Sequence, residues 1–283
     1  MKRIPVTLRL LTAGYCTHSE RLTLRGGSLR SCRFPAGFAC IQHPELGPVL
    51  FDTGYSERFF AETAAFPYSL YARVTPVFFK PEESAASRLL ALGIQPADVR
   101  HIVLSHFHAD HLGGLQDFPN AAFHYLQKAY DAVKGRRGFS AVRAAFLPGL
   151  LPPDFERRSQ PFDERQTVRL PDGYPFDRGL DVFGDGSIVA VDLPGHAHGQ
   201  IGILLATERH DYLLCADAVW SSKAYRENRP PHPLAGLIMA SRSEFRDTFG
   251  RLRLLHERHP QLRIVPSHCS EALEAYAAGG GPL

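Results

Sequence analysis

Three imidazoles and a carboxylate fall within six consecutive residues, His106-Phe107-His108-Ala109-Asp110-His111, directly behind the short apolar run 101–105. The apolar run reads as a buried strand, which places the cluster at a strand mouth, where a rigid scaffold positions loop chemistry. On an extended chain His106 and His108 point to the same side. A turn after Ala109 then lets Asp110 and His111 serve a second nearby centre.

Three further polar residues occupy the same kind of position. His196 lies in Leu193-Pro194-Gly195-His196-Ala197-His198-Gly199, just past a strand-like run; Asp217 follows Cys215-Ala216; His268 follows Val265-Pro266-Ser267. Sheet rims are where side chains distant in sequence converge.

Length and composition bound what such a cluster can serve. The 283 residues are 44% hydrophobic, enough for a substantial core, so disorder is excluded as the main state. No uncharged apolar run approaches the ~18 residues of a membrane span. The start, Met1-Lys2-Arg3 followed by a strand-like stretch that Arg9 interrupts, does not read as a signal peptide. A net charge of +3 is spread along the chain without the basic stripe that nucleic acid requires. Five cysteines, at 16, 32, 40, 215 and 269, form no CxxC pair, which argues against a disulfide framework and for a reducing, cytoplasmic compartment.

Strand patterns at 6–11, 37–42 and 48–51 lead into Asp52-Thr53-Gly54. The stretch 55–79 holds eight aromatics broken by Pro67 and Pro76 and reads as an irregular or short-helical insertion. A helix closed by Gly93, the strands 101–105 and 121–125, and a helix at 127–133 follow. Residues 135–180, rich in Pro, Arg and Gly, read as a surface elaboration with a helix at 139–146. Strands at 181–183, 187–193, 201–206, 212–215 and 262–265 alternate with helices at 221–227, 243–257 and from Ser270, and the tail Gly279-Gly280-Gly281-Pro282 is expected to fray. Without a composition break, one α/β domain over 1–283 is expected.

In this order, His106-x-His108-x-Asp110-His111, His196, Asp217 and His268 resemble the full ligand set of the metallo-β-lactamase-fold hydrolases, and Asp52-Thr53-Gly54 is similar to the family's early Asp-x-Gly turn. The resemblance implies an αββα sandwich, two mixed β-sheets packed face to face and flanked by helices. It implies that His106, His108 and His196 bind one divalent metal ion, that Asp110, His111 and His268 bind a second, and that Asp217 bridges them. Zinc is the expected metal; iron, manganese or cobalt suit the same donors better than soft copper(I) does. Metal-bound hydroxide would then be the nucleophile, Asp110 the catalytic proton carrier to the leaving group, and Asp52 an orienting residue behind the ligands.

Within that superfamily the chain looks most like the N-acyl-homoserine lactonases. The likeness is carried by Ala13-Gly14-Tyr15-Cys16, by the strand pair leading to Asp52, and by Asp217-Ala218-Val219-Trp220-Ser221-Ser222-Lys223. The expected activity is opening a lactone or cleaving another small carboxylic ester. A phosphodiesterase or glyoxalase II-like thioesterase of the same fold is one alternative, and a metal-containing ligand-binding protein without turnover another. The lactonases carry a Tyr three residues past the bridging Asp, where this chain has Trp220, whose indole N–H donates but cannot accept. Tyr225, if the following helix turns it inward, and His198, two residues past His196, are further candidates for substrate contact. The aromatic stretch 55–79 would wall an apolar cleft, form the surface of a homodimer, or pack as core. His18, His43, His101, His124, His210, His232, His256 and His259 sit in no ligand pattern and read as surface or supporting residues.

Overall fold

Among residues 4–277, which the computed structural model describes, the apolar runs assemble into two sheets. The first holds β1 (Thr7–Ser19), β2 (Ser31–His43), β3 (Gly47–Phe51), β4 (Val77–Phe78), β5 (His101–Val103), β6 (Ala122–Tyr125) and β7 (Ser159–Pro161), in the order β4-β1-β2-β3-β5-β6-β7. The second holds β8 (Thr167–Arg169), β9 (Arg178–Asp181), β10 (Ile188–Asp192), β11 (Ile201–Ala206), β12 (Asp211–Ala216) and β13 (Arg263–Pro266), in the order β13-β12-β11-β10-β9-β8. The run β3-β5-β6-β7 is parallel and the β1, β2 and β4 pairings are antiparallel; in the second sheet only β12 and β13 run parallel. Both sheets are therefore mixed, as expected.

Strand alternation builds the layers. Ile41, Val49, Phe51 and Val103 face Ile188, Ile203, Leu214 and Val265 in a core between the sheets. Their neighbours Cys40, Leu50 and Ile102 point outward onto Leu89, Leu112 and Phe155. On the far side Val191, Leu213 and Ile264 bury Phe245, Phe249, Leu252 and Leu255 of the helix Arg242–Arg258. That helix starts where Ser241 accepts a hydrogen bond from the Glu244 N–H. The result is the four-layer sandwich, and no helix among the described residues is long and apolar enough to cross a membrane.

Two expectations change in detail, and the aromatic insertion takes the short-helical form of its two expected ones. The first strand runs on to Ser19 because a bulge between Thr12 and Tyr15, with Gly14 at φ +75°, lets the polar continuation keep pairing with β2. The stretch 135–180 does more than coat the surface: it buries Phe146, Leu147, Leu150 and Phe155 and supplies β7 and β8, one edge strand of each sheet. The aromatic insertion becomes the helices Arg58–Glu62 and Ser69–Val74 followed by β4. The tail at 279–282 lies outside the described residues.

This topology brings the polar residues together. β3 and β5 are parallel and in register at Phe51 and Val103, so Asp52 and Ser105-His106 leave the first sheet at one rim. β10 and β12 both run antiparallel to β11, and β13 runs parallel to β12, so His196, Asp217 and His268 emerge from one rim of the second sheet. Backbone bonds tie the rims together: Ile201 N–H to Ser105 O at 3.0 Å and Gly37 N–H to Ser267 O at 3.0 Å.

Candidate metal centre

The seven residues expected as ligands converge at those rims. His106, His108 and His196 offer one group of donor atoms lying within 4.8 Å of one another, and Asp110, His111 and His268 offer another. A third group, His106, His111 and Asp217, takes one member from each trio, so Asp217 sits between the two. His268 Nε2 lies 3.0 Å from Asp217 Oδ2 and 3.2 Å from Asp110 Oδ2, and His196 Nε2 lies 3.3 Å from Asp217 Oδ2.

Supporting bonds decide which ring nitrogen faces inward. His268 Nδ1 donates to the carbonyl of Pro35 at 2.7 Å, and a carbonyl only accepts, so Nε2 is turned to the centre. His111 Nδ1 meets Asp52 Oδ2 at 2.8 Å and likewise leaves Nε2 inward. The Ser105 hydroxyl donates to Asp52 Oδ2 at 2.7 Å and so accepts from His106 Nδ1 at 2.9 Å. Asp52, fully buried, also takes the Ser105 N–H at 2.8 Å and so stands directly behind the candidate ligands His111 and His106. It is held at φ +60°, a costly conformation for a residue with a β-carbon, and Ala216 beside Asp217 shares that region at φ +48°. The Asp52-Thr53-Gly54 turn is laced to the ligand run, with the Thr53 hydroxyl on His111 O and the Gly113 N–H on Gly54 O, each at 2.9 Å. Any β-carbon on Gly113 would stand 2.6 Å from Gly54 O, which requires glycine there.

The donor chemistry fits divalent cations. His106 Nε2 is buried without a hydrogen-bond partner, and His111 Nε2 faces Asp217 Oδ1 at 3.4 Å without a well-formed hydrogen bond, a costly state that a cation among them relieves. Burial, joined by neighbouring imidazoles, holds His106 and His108 neutral, the latter down to about 3, and burial lowers His196 as well. For His111 burial is outweighed by Asp52, Asp110 and Asp217, which push it up to about 10; His268 rises similarly through Asp217 and Asp110. Burial opposes ionisation of Asp110 and Asp217, but the surrounding imidazoles keep both carboxyls below the usual range. A dication at each donor group would take the place of the protons that these carboxylates draw onto His111 and His268.

A cleft of about 340 Å³ opens above these residues. Leu22, Phe34, Tyr71, Val74, Leu234 and Ile238 give it apolar walls, and Val74, Leu234 and Ile238 are exposed at its mouth. The aromatic insertion is therefore both core, through Phe59, and cleft wall, through Tyr55 and Tyr71. Burial, reinforced by Asp110, pushes both phenols well above the usual tyrosine range, so they are donors at neutral pH.

The three residues proposed for substrate contact fare differently. Trp220 lines the cleft, but its indole N–H donates to Asp217 Oδ2 at 3.1 Å and so orients a ligand candidate. Tyr225 is turned away, its hydroxyl donating to Ile264 O at 3.2 Å, because its helix packs its inner face onto β13. His198 is exposed and outside the cleft lining, carried outward by the turn at Gly199. Ser105 and the Pro35 carbonyl carry no signal in sequence, and Tyr71 only that of the aromatic stretch it belongs to: a serine before His106 is unremarkable until its hydroxyl is seen bridging His106 and Asp52. Among the background histidines, His43 and His124 are buried, not superficial; His43 is held by Asp185 at 2.9 Å.

Residues 41–268 match the family described as the Metallo-beta-lactamase superfamily. A Mycobacterium tuberculosis protein named "Probable metallo-hydrolase Rv2300c" is 32% identical, the match covering 78% of this chain and 71% of that one. The N-acyl homoserine lactonase AttM of Azorhizobium caulinodans is 27% identical across 93% of this chain and 92% of its own. A solved N-acyl homoserine lactone hydrolase, with the product N-hexanoyl-L-homoserine bound at its catalytic metal centre, superposes with a TM-score of 0.68 at 19% identity, covering 96% of each chain, a likeness of fold. With the sandwich, the ordered donors and the match over 41–268 in agreement, the chain belongs to the metallo-beta-lactamase superfamily.

Proposed function

We propose that the protein is a dinuclear-metal hydrolase that opens a small-molecule lactone or cleaves a closely related carboxylic ester, with an N-acyl homoserine lactone as the type substrate. The observation that carries this is the pair of three-donor groups, all buried but for the half-buried His108, joined through Asp217 in an apolar-walled cleft. The lactonase relatives support the choice of substrate class. His106, His108 and His196 would hold one ion, and Asp110, His111 and His268 the other, with Asp217 shared; zinc fits the imidazole and carboxylate donors. Bound there, the ions supply Lewis-acid polarisation of the scissile carbonyl and activation of water near neutral pH.

The chain's own groups do the rest. Apolar walls seat the acyl part and thin out the water around the ester. Asp110 lines the cleft and is ionised, so it takes the proton of the attacking water and returns it to the departing ring oxygen as the acyl C–O bond breaks. Trp220 and Asp52 hold Asp217 and His111 in place. Five free thiols support a cytoplasmic setting.

The test couples elemental analysis to a substrate panel of N-hexanoyl homoserine lactone, a thioester and bis-(p-nitrophenyl) phosphate. Lactone opening is expected to dominate, to disappear with a chelator and to return with zinc. His106→Ala should lower metal content and lactone turnover together, turnover by at least about 100-fold. Undiminished turnover by metal-free protein would overturn the proposal, as would a preference for the phosphodiester.

A further inference from the structure

The indole N–H of Trp220 is committed to Asp217 and the hydroxyl of Tyr225 to Ile264 O, so neither is left to hold a substrate oxygen. The cleft nevertheless contains two phenols. Tyr55 is 1% exposed, and its hydroxyl is sealed from solvent beside the weakly accepting Cys16 thiol, out of a ligand's reach. Tyr71 is placed differently. Its ring packs edge-on against Phe59 at 5.6 Å, which anchors it, and it is 7% exposed on the cleft wall. Its hydroxyl is neither sealed in nor bonded to any described residue, so it opens on the cleft as an unengaged donor. It lines the same cleft as Asp110, Asp217 and His268. A polar group ordered by packing yet left without a protein partner is one that a ligand completes.

We propose that Tyr71, carried by the aromatic insertion on the helix Ser69–Val74, is the substrate-contacting donor of this centre, its hydroxyl hydrogen-bonding an acyl oxygen of the bound lactone. The contact is a hydrogen bond throughout, and the phenol keeps its proton. This assignment rests on the lactone-hydrolase function proposed above and gives the insertion a chemical task beyond apolar packing.

Tyr71→Phe removes one oxygen atom and no protein bond. In the zinc-loaded protein it should lower kcat/KM for N-hexanoyl homoserine lactone about tenfold. It should weaken binding of the ring-opened N-hexanoyl homoserine by a similar factor, read from the fluorescence of Trp220, the single tryptophan of the chain and part of the same cleft. Zinc content and melting temperature should match the parent protein. Turnover and product affinity both within twofold of the parent would overturn the proposal, and so would a lowered melting temperature or zinc content, which would show that the hydroxyl is structural. A parent protein that fails to open the lactone would sink the proposed function and this inference with it. An active parent with an unimpaired Tyr71→Phe would sink this inference alone.

Discussion

Asp52 reaches only His111 among the metal-ligand candidates, yet three bonds converge on its carboxylate, and through Ser105 it also sets the tautomer of His106. Asp52→Asn keeps the shape but replaces one acceptor oxygen with an N–H facing donors. Zinc affinity is expected to fall about 10–100-fold, measured by competition with a chromophoric chelator, with the secondary structure retained. Parent-like affinity would mean that the ligand rings are held by packing alone. At this scale the candidate donors that the fold brings together were legible in sequence because coordinating chemistry depends on residue type and order. Tyr225 and His198 were misplaced because their direction depends on which neighbour their backbone packs against, and Tyr71 went unassigned for the same reason.

The elements matter through where they stop. His196 is carried on a loop clamped by the start of the helix Arg242–Arg258: the Ala240 and Ser241 N–H groups donate to His196 O and Gly195 O at 3.0 Å, and the Thr248 hydroxyl donates to Pro194 O at 2.7 Å. Gly195 makes the approach feasible, with φ at +126° and a virtual β-carbon only 2.1 Å from Phe245 N. Gly195→Ala should therefore destabilise by about 3 kcal/mol or more in urea unfolding and lower zinc affinity, because either the helix or the His196 loop must shift. The element types were largely readable, because apolar runs of strand length and the long amphipathic helix near the C-terminus follow from periodicity. The polar end of β1 and the short edge strands β7 and β8 were not, since pairing partners, not their own patterns, make them strands.

Over the whole molecule, stability against acid depends not only on the buried imidazoles of the metal centre but also on histidines outside it. His43, His101 and His124 ring Phe183 at centroid distances of 6.2, 5.2 and 5.4 Å, and His101 Nδ1 contacts His124 Nε2 at 3.0 Å. Burial, with His101 adding, pulls His124 down to about 4, below the ordinary 6.5 of an unfolded chain. The unfolded state therefore takes up this proton first as pH falls. The stability held above pH 6.5 is eroded between there and about 4, by about 2–3 kcal/mol for this residue. In metal-free protein, the stability gap between the parent and His124→Phe should narrow by that amount from pH 7 to pH 4.5; a pH-independent gap would show that His124 protonates without cost.

By itself the sequence determined which residues are candidate metal donors, their order along the chain, the α/β alternation and the family, because metal preference resides in residue chemistry and sheet-forming periodicity is local. Only the tertiary structure decided which nitrogen of each imidazole faces inward, that Trp220 serves Asp217, and that an aromatic insertion offers Tyr71 to the cleft. Those outcomes depend on contacts between segments far apart in the chain, such as His268 with Pro35 and Asp52 with His111, and no local pattern encodes such contacts.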